Sequence, residues 1–146
     1  MKIFDFLKNL FNKSGSQQPE NEKDSSTLSQ EDQRFNKMWD LWAEGNISSP
    51  YAELMTYQSE INNGGHDQFF YNVSQSDNVE RVVGELYKIL PEALASNLRT
   101  AHNSLLENGD DMDANEEVFE GCDDIFYENE ELINHILQEY SKTIEI

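Results

Sequence analysis

The chain is expected to fold as an all-α protein, a single compact domain of six or seven helices preceded by a short amphipathic helix and a disordered linker. Three observations point there. Apolar residues recur at three- and four-residue spacing along most of the sequence, and the alternating runs that mark strands are missing. Glycine, proline and capping residues punctuate the chain at helix-length intervals. The 146 residues suffice for one core with an appendage. Eight Phe, six Tyr and two Trp supply bulky core members to a composition that is only 37% hydrophobic.

Each element has its own justification. Residues 2–12 place Ile3, Phe4, Phe6, Leu7, Leu10 and Phe11 on one side of a short helix. Residues 13–29, rich in Ser, Gln, Glu and Asn, hold too little apolar surface to fold and are expected to be a flexible linker. The acidic helical domain then spans 30–146. Its first helix opens at Ser29 or Gln30, carries Phe35, Met38, Trp39 and Trp42, and ends at Gly45. Ser49-Pro50 is expected to cap the next, with Pro50 in the first helical position. That helix carries Leu54, Met55, Tyr57 and Ile61 and is expected to stop at Gly64-Gly65, with a short helix following through Tyr71. Asp77-x-x-Glu80 has the form of a capping box for a helix with Val82, Val83, Leu86, Tyr87 and Leu90. Pro91 restarts a helix with Leu94, Leu98, Ala101 and Leu105, which ends at Asn108-Gly109. Asp113-x-x-Glu116 is expected to cap the last segment, whose apolar face includes Phe119, Cys122, Phe126, Ile133, Leu137 and Tyr140.

The formal net charge is −19. Residues 1–28 contribute four Lys and four acids, so 29–146, with 25 acids and six basic residues, carry the whole of it. Such a body repels nucleic acid and anionic membranes and attracts basic surfaces from a distance. Direct nucleic-acid binding is therefore not expected. No apolar run approaches the ~20 residues that span a bilayer. Asp5 and Lys8 interrupt the N-terminal apolar stretch, and no small-residue cleavage site follows it, so the expected location is cytoplasmic. A lone Cys122 excludes an intramolecular disulfide. Residues 2–12 admit two readings: weak docking to a membrane surface or a protein, or folding back onto the domain.

The most specific stretch runs from Glu60 to Asn72. Asn62-Asn63-Gly64-Gly65 suits a sharp helix end, because glycine and asparagine accept the left-handed conformation. Asp67, Gln68 and Asn72 are placed to cap and cross-link the turn. Phe69, Phe70 and Tyr71 cannot all face inward on one helix, so at least one is expected to meet solvent or a partner element. The stretch resembles the signature of the DNA-mimic protein family, small acidic bacterial proteins with a helical domain. Glu60, Asn62, Asn63, Gly64, Gly65, Gln68, Phe69, Phe70 and Asn72 fit its pattern, and His66 stands where an aromatic is usual. The resemblance covers about residues 30–142, including Asp123-Asp124 in an acidic-aromatic helix. The residues themselves read as a structural corner, and the mimicry that the resemblance implies would place function downstream.

Downstream lies a run of acids. Residues 107–131 contain Glu107, Asp110, Asp111, Asp113, Glu116, Glu117, Glu120, Asp123, Asp124, Glu128, Glu130 and Glu131, with no Lys or Arg. In a continuous helix, 116–131 spans about 22 Å at ~1.5 Å per residue. Its eight carboxylates then approach the spacing of DNA phosphates, one per ~3.4 Å of strand. The arrangement is costly. Six like-charge pairs at three- or four-residue spacing cost about 0.2–0.5 kcal/mol each, and Gly121 costs about 1 kcal/mol relative to Ala.

Other chemistry fares less well. Asp111-x-Asp113-x-Asn115 begins like a calcium loop, but Glu116 replaces the required Gly and Cys122 the closing Glu. His66, His102 and His135 lack a second His in helical register. Phosphate loops, nucleophile elbows and Cys–His pairs are not evident. The expectation is a noncatalytic acidic binding protein, without cofactor or metal, that mimics DNA phosphates. It would sequester a basic DNA-binding protein such as a transcription regulator, nucleoid protein or nuclease. Two alternatives stand beside it: an immunity-type inhibitor of a nucleic-acid-cleaving toxin, and a small-ligand or metal-dependent enzyme using the Asn62–Asn72 corner.

Overall fold

The long C-terminal apolar pattern becomes one helix, and the others pack around it. The computed structural model describes residues 28–146, so the helix expected at 2–12 and most of the linker at 13–29 lie outside the described residues. Five helices follow in order: α1 (Gln30–Ala43), α2 (Tyr51–Ser76), α3 (Val79–Tyr87), α4 (Glu92–Asn108) and α5 (Met112–Ser141). The described residues contain no strand. The fold is all-α, and the backbone leaves helical angles at Gly64 and Gly65, so α2 is two helical limbs meeting at a kink, where the sequence predicts one helix to stop and another to follow.

Helix starts differ in detail from the sequence expectation. The Ser29 hydroxyl accepts the Asp32 N–H at 3.0 Å and caps α1. Pro50 precedes the first helical residue, and the Ser49 hydroxyl donates to Glu53 Oε2 at 2.9 Å, leaving no side-chain cap. Pro91 likewise precedes α4. Asn78, one residue beyond the expected Asp77, caps α3 by accepting the Arg81 N–H at 2.9 Å. Asp77 pairs with the Arg81 guanidinium instead, which holds its carboxyl below the usual range together with the Asn78 N–H. Glu80 reaches His102 at 3.0 Å and so closes no box. Asp111 caps α5 through the Ala114 N–H, which leaves the expected cap Asp113 inside the first turn.

α5 packs most extensively on α4 and α2; α3 covers α2 and touches α4, and α1 lies against α5. Fully buried Tyr57, Ile61 and Phe69 from α2 meet Leu94 and Leu98 from α4 and Phe126, Ile133 and Leu137 from α5. Each side chain of this size contributes about 1.5–3 kcal/mol when removed from water. Tyr51 stacks on Tyr140 at 3.9 Å between ring centroids, tying the start of α2 to the end of α5. Arg34 donates to the Ile144 carbonyl at 3.0 Å, holding the C-terminal segment on α1.

Candidate functional site: a braced corner beside a carboxylate ridge

The two glycines of α2 perform different tasks. Gly64 has φ −165°, an extended value open to any residue, whereas Gly65 has φ 79°, in the left-handed region that favours glycine. A Cβ on Gly65 would also run into the Asp123 carboxylate, and one on Gly64 into the Gln68 side chain. The bend frees backbone groups that a straight helix would pair. Asp123 Oδ1 accepts the His66 N–H at 2.8 Å, and the Tyr127 hydroxyl donates to the Ile61 carbonyl at 2.9 Å. Asp123 thus caps the second limb of α2 from a different helix, where a carboxylate also suits the helix dipole.

The signature residues brace this bend. Glu60 Oε1 accepts from Gln68 Nε2 at 3.1 Å and Asn72 Nδ2 at 2.8 Å, joining the two limbs. Asn62 Nδ2 donates to Glu130 Oε2 at 2.7 Å and to the Gln58 carbonyl at 3.0 Å. Gln58 donates to the same Glu130 oxygen at 3.0 Å. Phe69 and Phe70 are buried and Tyr71 is 63% exposed, as three adjacent aromatics on one helix require. Asp67 is exposed, and half-buried Asn63 leaves its Nδ2 without a partner.

His66, the departure from the motif pattern, is the hub. Its ring is completely buried, with Nδ1 2.7 Å from Asp123 Oδ1 and Nε2 2.7 Å from the Tyr57 hydroxyl. An ionised carboxylate can only accept, so Nδ1 carries the proton and Nε2 accepts from Tyr57. Burial pushes the Tyr57 phenol well above its ordinary range, with Cys122, Asp123 and Tyr87 adding to the effect. The phenol therefore keeps the proton it donates. A hydroxyl, an imidazole and a carboxylate in line have the order of a catalytic relay. Here, however, the hydroxyl and the ring have no exposed surface, and the phenol is stabilised in its unreactive form. The chain works as a brace between α2 and α5.

The twelve acids of 107–131 separate into two sets. Asp123 and Glu130 are partly buried against α2 and committed to His66 and Asn62. The other ten are exposed: Glu107, Asp110, Asp111, Asp113, Glu116, Glu117, Glu120, Asp124, Glu128 and Glu131. None of these ten belongs to an ion pair among the described residues. At ~100° per residue, Asp113, Glu117, Glu120, Asp124, Glu128 and Glu131 fall within about an 80° sector of α5. Asp123 and Glu130, seven residues apart, lie about a third of a turn away, facing the bend. Glu116 lies about 20° from Asp123 on the same helix and is exposed, so angular position alone does not separate the two committed acids. Between Arg99 and Lys142 the chain has no Lys or Arg. Most cations elsewhere among the described residues are engaged: Arg81 by Asp77 and Glu53, Lys88 by Glu85, Lys142 by Glu139, Arg34 by the Ile144 carbonyl, and Arg99 over the Tyr87 ring at 5.0 Å.

Most of the remaining sequence candidates have structural employment. Asp111–Cys122 is helix and its cap, so it makes no calcium loop. The Asn115 Oδ1 accepts from the Ser104 hydroxyl at 2.6 Å. His102 is buried and pairs with Glu80, and His135 is exposed. Among the described residues no group of three or more His, Cys, Asp or Glu is placed to hold a metal ion. Burial first and the Asp123 charge second push the Cys122 thiol up to about 11, which keeps it protonated. No helix among the described residues is long and apolar enough to cross a membrane.

A bent, braced helix supporting an acidic ridge defines an acidic all-helical protein. The family model described as DMP19-like protein matches residues 50–144, from the residue before α2 through the C-terminal segment. The chain belongs to that family. The match agrees with the resemblance carried by the Glu60–Asn72 signature but begins after α1, so it is shorter at the N-terminal side than the span of about 30–142 expected from sequence. No curated protein and no solved structure gives a significant match to the chain.

Proposed function

We propose that this protein is a noncatalytic, cytoplasmic DNA mimic whose α5 ridge occupies the nucleic-acid-binding surface of a basic protein. The observation that carries the reading is the uncompensated row of carboxylates on α5. Six exposed acids (Glu116, Glu117, Glu120, Asp124, Glu128 and Glu131) span fifteen residue steps without a cation between them. Over about 22 Å they give one charge per ~4 Å, close to the phosphate spacing of one DNA strand. This is sparser than the eight carboxylates the sequence alone suggested, because Asp123 and Glu130 face α2.

The corner supports the reading mechanically. Two carboxylates of the same helix fasten it to α2, so the ridge is held at a fixed angle by groups that do not take part in recognition. Ridge residues are free to meet arginine and lysine without first breaking an internal pair, and preorganised charge of this kind loses little on binding. The partner is a basic DNA-binding protein, and the mechanism is competition for its DNA groove. Family membership supports this class of partner. The experiment is displacement of a fluorescent duplex from a DNA-binding protein captured by this chain, repeated across salt concentrations. Displacement that weakens steeply with salt is expected. Affinity insensitive to salt, or capture of no DNA-binding protein, contradicts the proposal.

A further inference from the structure

Beside the ridge, α4 and α5 leave an open groove of about 370 Å³. Its floor is Asn97 and Cys122, both buried, and its sides include Ala93 and Thr100 from α4 and Val118, Gly121 and Ile125 from α5. Glu117, a ridge residue, is part of the same wall. Two features set this groove apart from ordinary surface. Asn97 is only 4% exposed and its Nδ2 donates to the Cys122 carbonyl at 2.8 Å, yet its Oδ1 has no hydrogen-bond partner. A buried acceptor without a donor is costly to leave unmade. In addition, a Cβ on Gly121 would meet nothing within 4 Å, so packing does not require glycine in the middle of a 30-residue helix. Helix propensity disfavours it there. What Gly121 provides is room.

We infer that the groove receives an arginine side chain of the basic partner, its aliphatic stem on Val118 and Ile125 and its guanidinium between Asn97 Oδ1 and Glu117. The occupant follows from chemistry. A second copy of this chain brings another −19 of charge, and an anionic lipid surface meets the same repulsion. The free acceptor and the carboxylate both call for a donor, and the apolar sides call for methylene groups. Arginine supplies five N–H donors, a fixed charge and a three-carbon stem. The identity of the partner rests on the mimicry reading, which this site deepens. Phosphates offer no apolar wall, so the groove would give the complex a component that DNA itself cannot match.

The test uses the full chain and n-butylguanidinium as probe, followed by amide chemical shifts. Saturable shifts are expected at the Asn97 side-chain amide, Gly121, Cys122 and Ile125, at least threefold tighter than with guanidinium lacking the butyl stem. Gly121→Leu, which fills the groove, should abolish them; Gly121→Ala should weaken them. Gly84→Ala, at another helical glycine with nothing within 4 Å of its Cβ, should leave them intact. An unchanged response in Gly121→Leu, or shifts confined to Glu120, Asp124 and Glu128, overturns the site. Failure of mimicry looks different: the groove response persists while reversing those three acids leaves partner binding unchanged.

Discussion

One oxygen of Asp123 holds His66 twice, accepting its backbone N–H at 2.8 Å and its ring Nδ1 at 2.7 Å. Through the ring, the same contact reaches the buried Tyr57 hydroxyl. The bend in α2 and the position of α5 are therefore set together. The next residue, Asp124, is exposed and belongs to no ion pair among the described residues. Two adjacent aspartates thus serve opposite purposes, one fastening the ridge and one forming it.

Their substitution should separate these purposes. Asp123→Ala leaves the His66 donors without their acceptor and is expected to cost about 2–4 kcal/mol. Asp124→Ala removes like-charge repulsion on an exposed face and should change stability by no more than about 0.5 kcal/mol. Urea unfolding of both variants, with the slope compared as well as the midpoint, checks the contrast.

Three glycines should respond with different signs. Gly65→Ala meets both a left-handed backbone, worth about 1–2 kcal/mol, and the Asp123 carboxylate, so a loss above about 2 kcal/mol is expected. Gly64→Ala has ordinary φ and presses on a side chain, so its cost should be smaller. Gly121→Ala sits in open space within a helix and should gain about 0.5–1 kcal/mol. Thermal melts of the three variants test the order.

Alkaline pH should unfold the protein through its buried acids. The Cys122 thiol is pushed from 9.0 up to about 11, chiefly by burial, and the Tyr57 phenol is raised well above 10.0. In the unfolded chain both release protons at lower pH, so the folded state binds more protons and stability falls as pH rises through this range. The contribution is fully present below the unfolded values and lost above the folded ones. Melting temperature should hold steady to about pH 8 and then decline. Cys122→Ala should remove the part of the decline between 9.0 and about 11 and leave the Tyr57 part.

Much of this architecture was legible in the sequence. Three- and four-residue spacing identified the helices because each buries one face, as Phe119, Cys122, Phe126, Ile133 and Leu137 do on α5. Glycine positions located the kink where the first limb of α2 stops and the second starts, because Gly65 takes a left-handed φ that other residues avoid. What the sequence does not show is that α5 supplies the partners for the freed ends, Asp123 for the His66 N–H and Tyr127 for the Ile61 carbonyl. Caps were misplaced by one or two residues because several Asp and Asn stand in a row, and Asp77 was drawn away by Arg81. The acidic run was visible, yet Asp123 and Glu130 looked like their neighbours. Only the tertiary partners on α2 distinguish them. His66 looked like an exception to an aromatic position, since its second hydrogen-bonding edge matters only once Tyr57 and Asp123 converge on it.

The most direct test of the ridge is the triple reversal Glu120→Lys, Asp124→Lys and Glu128→Lys, measured by displacement of labelled duplex from the basic partner at several salt concentrations. All three side chains are exposed and outside the brace, so the helical circular dichroism should be unchanged. Wild type should displace the duplex with a steep salt dependence, and the reversed protein should lose displacement altogether. Undiminished displacement by the reversed protein would contradict the mimicry reading.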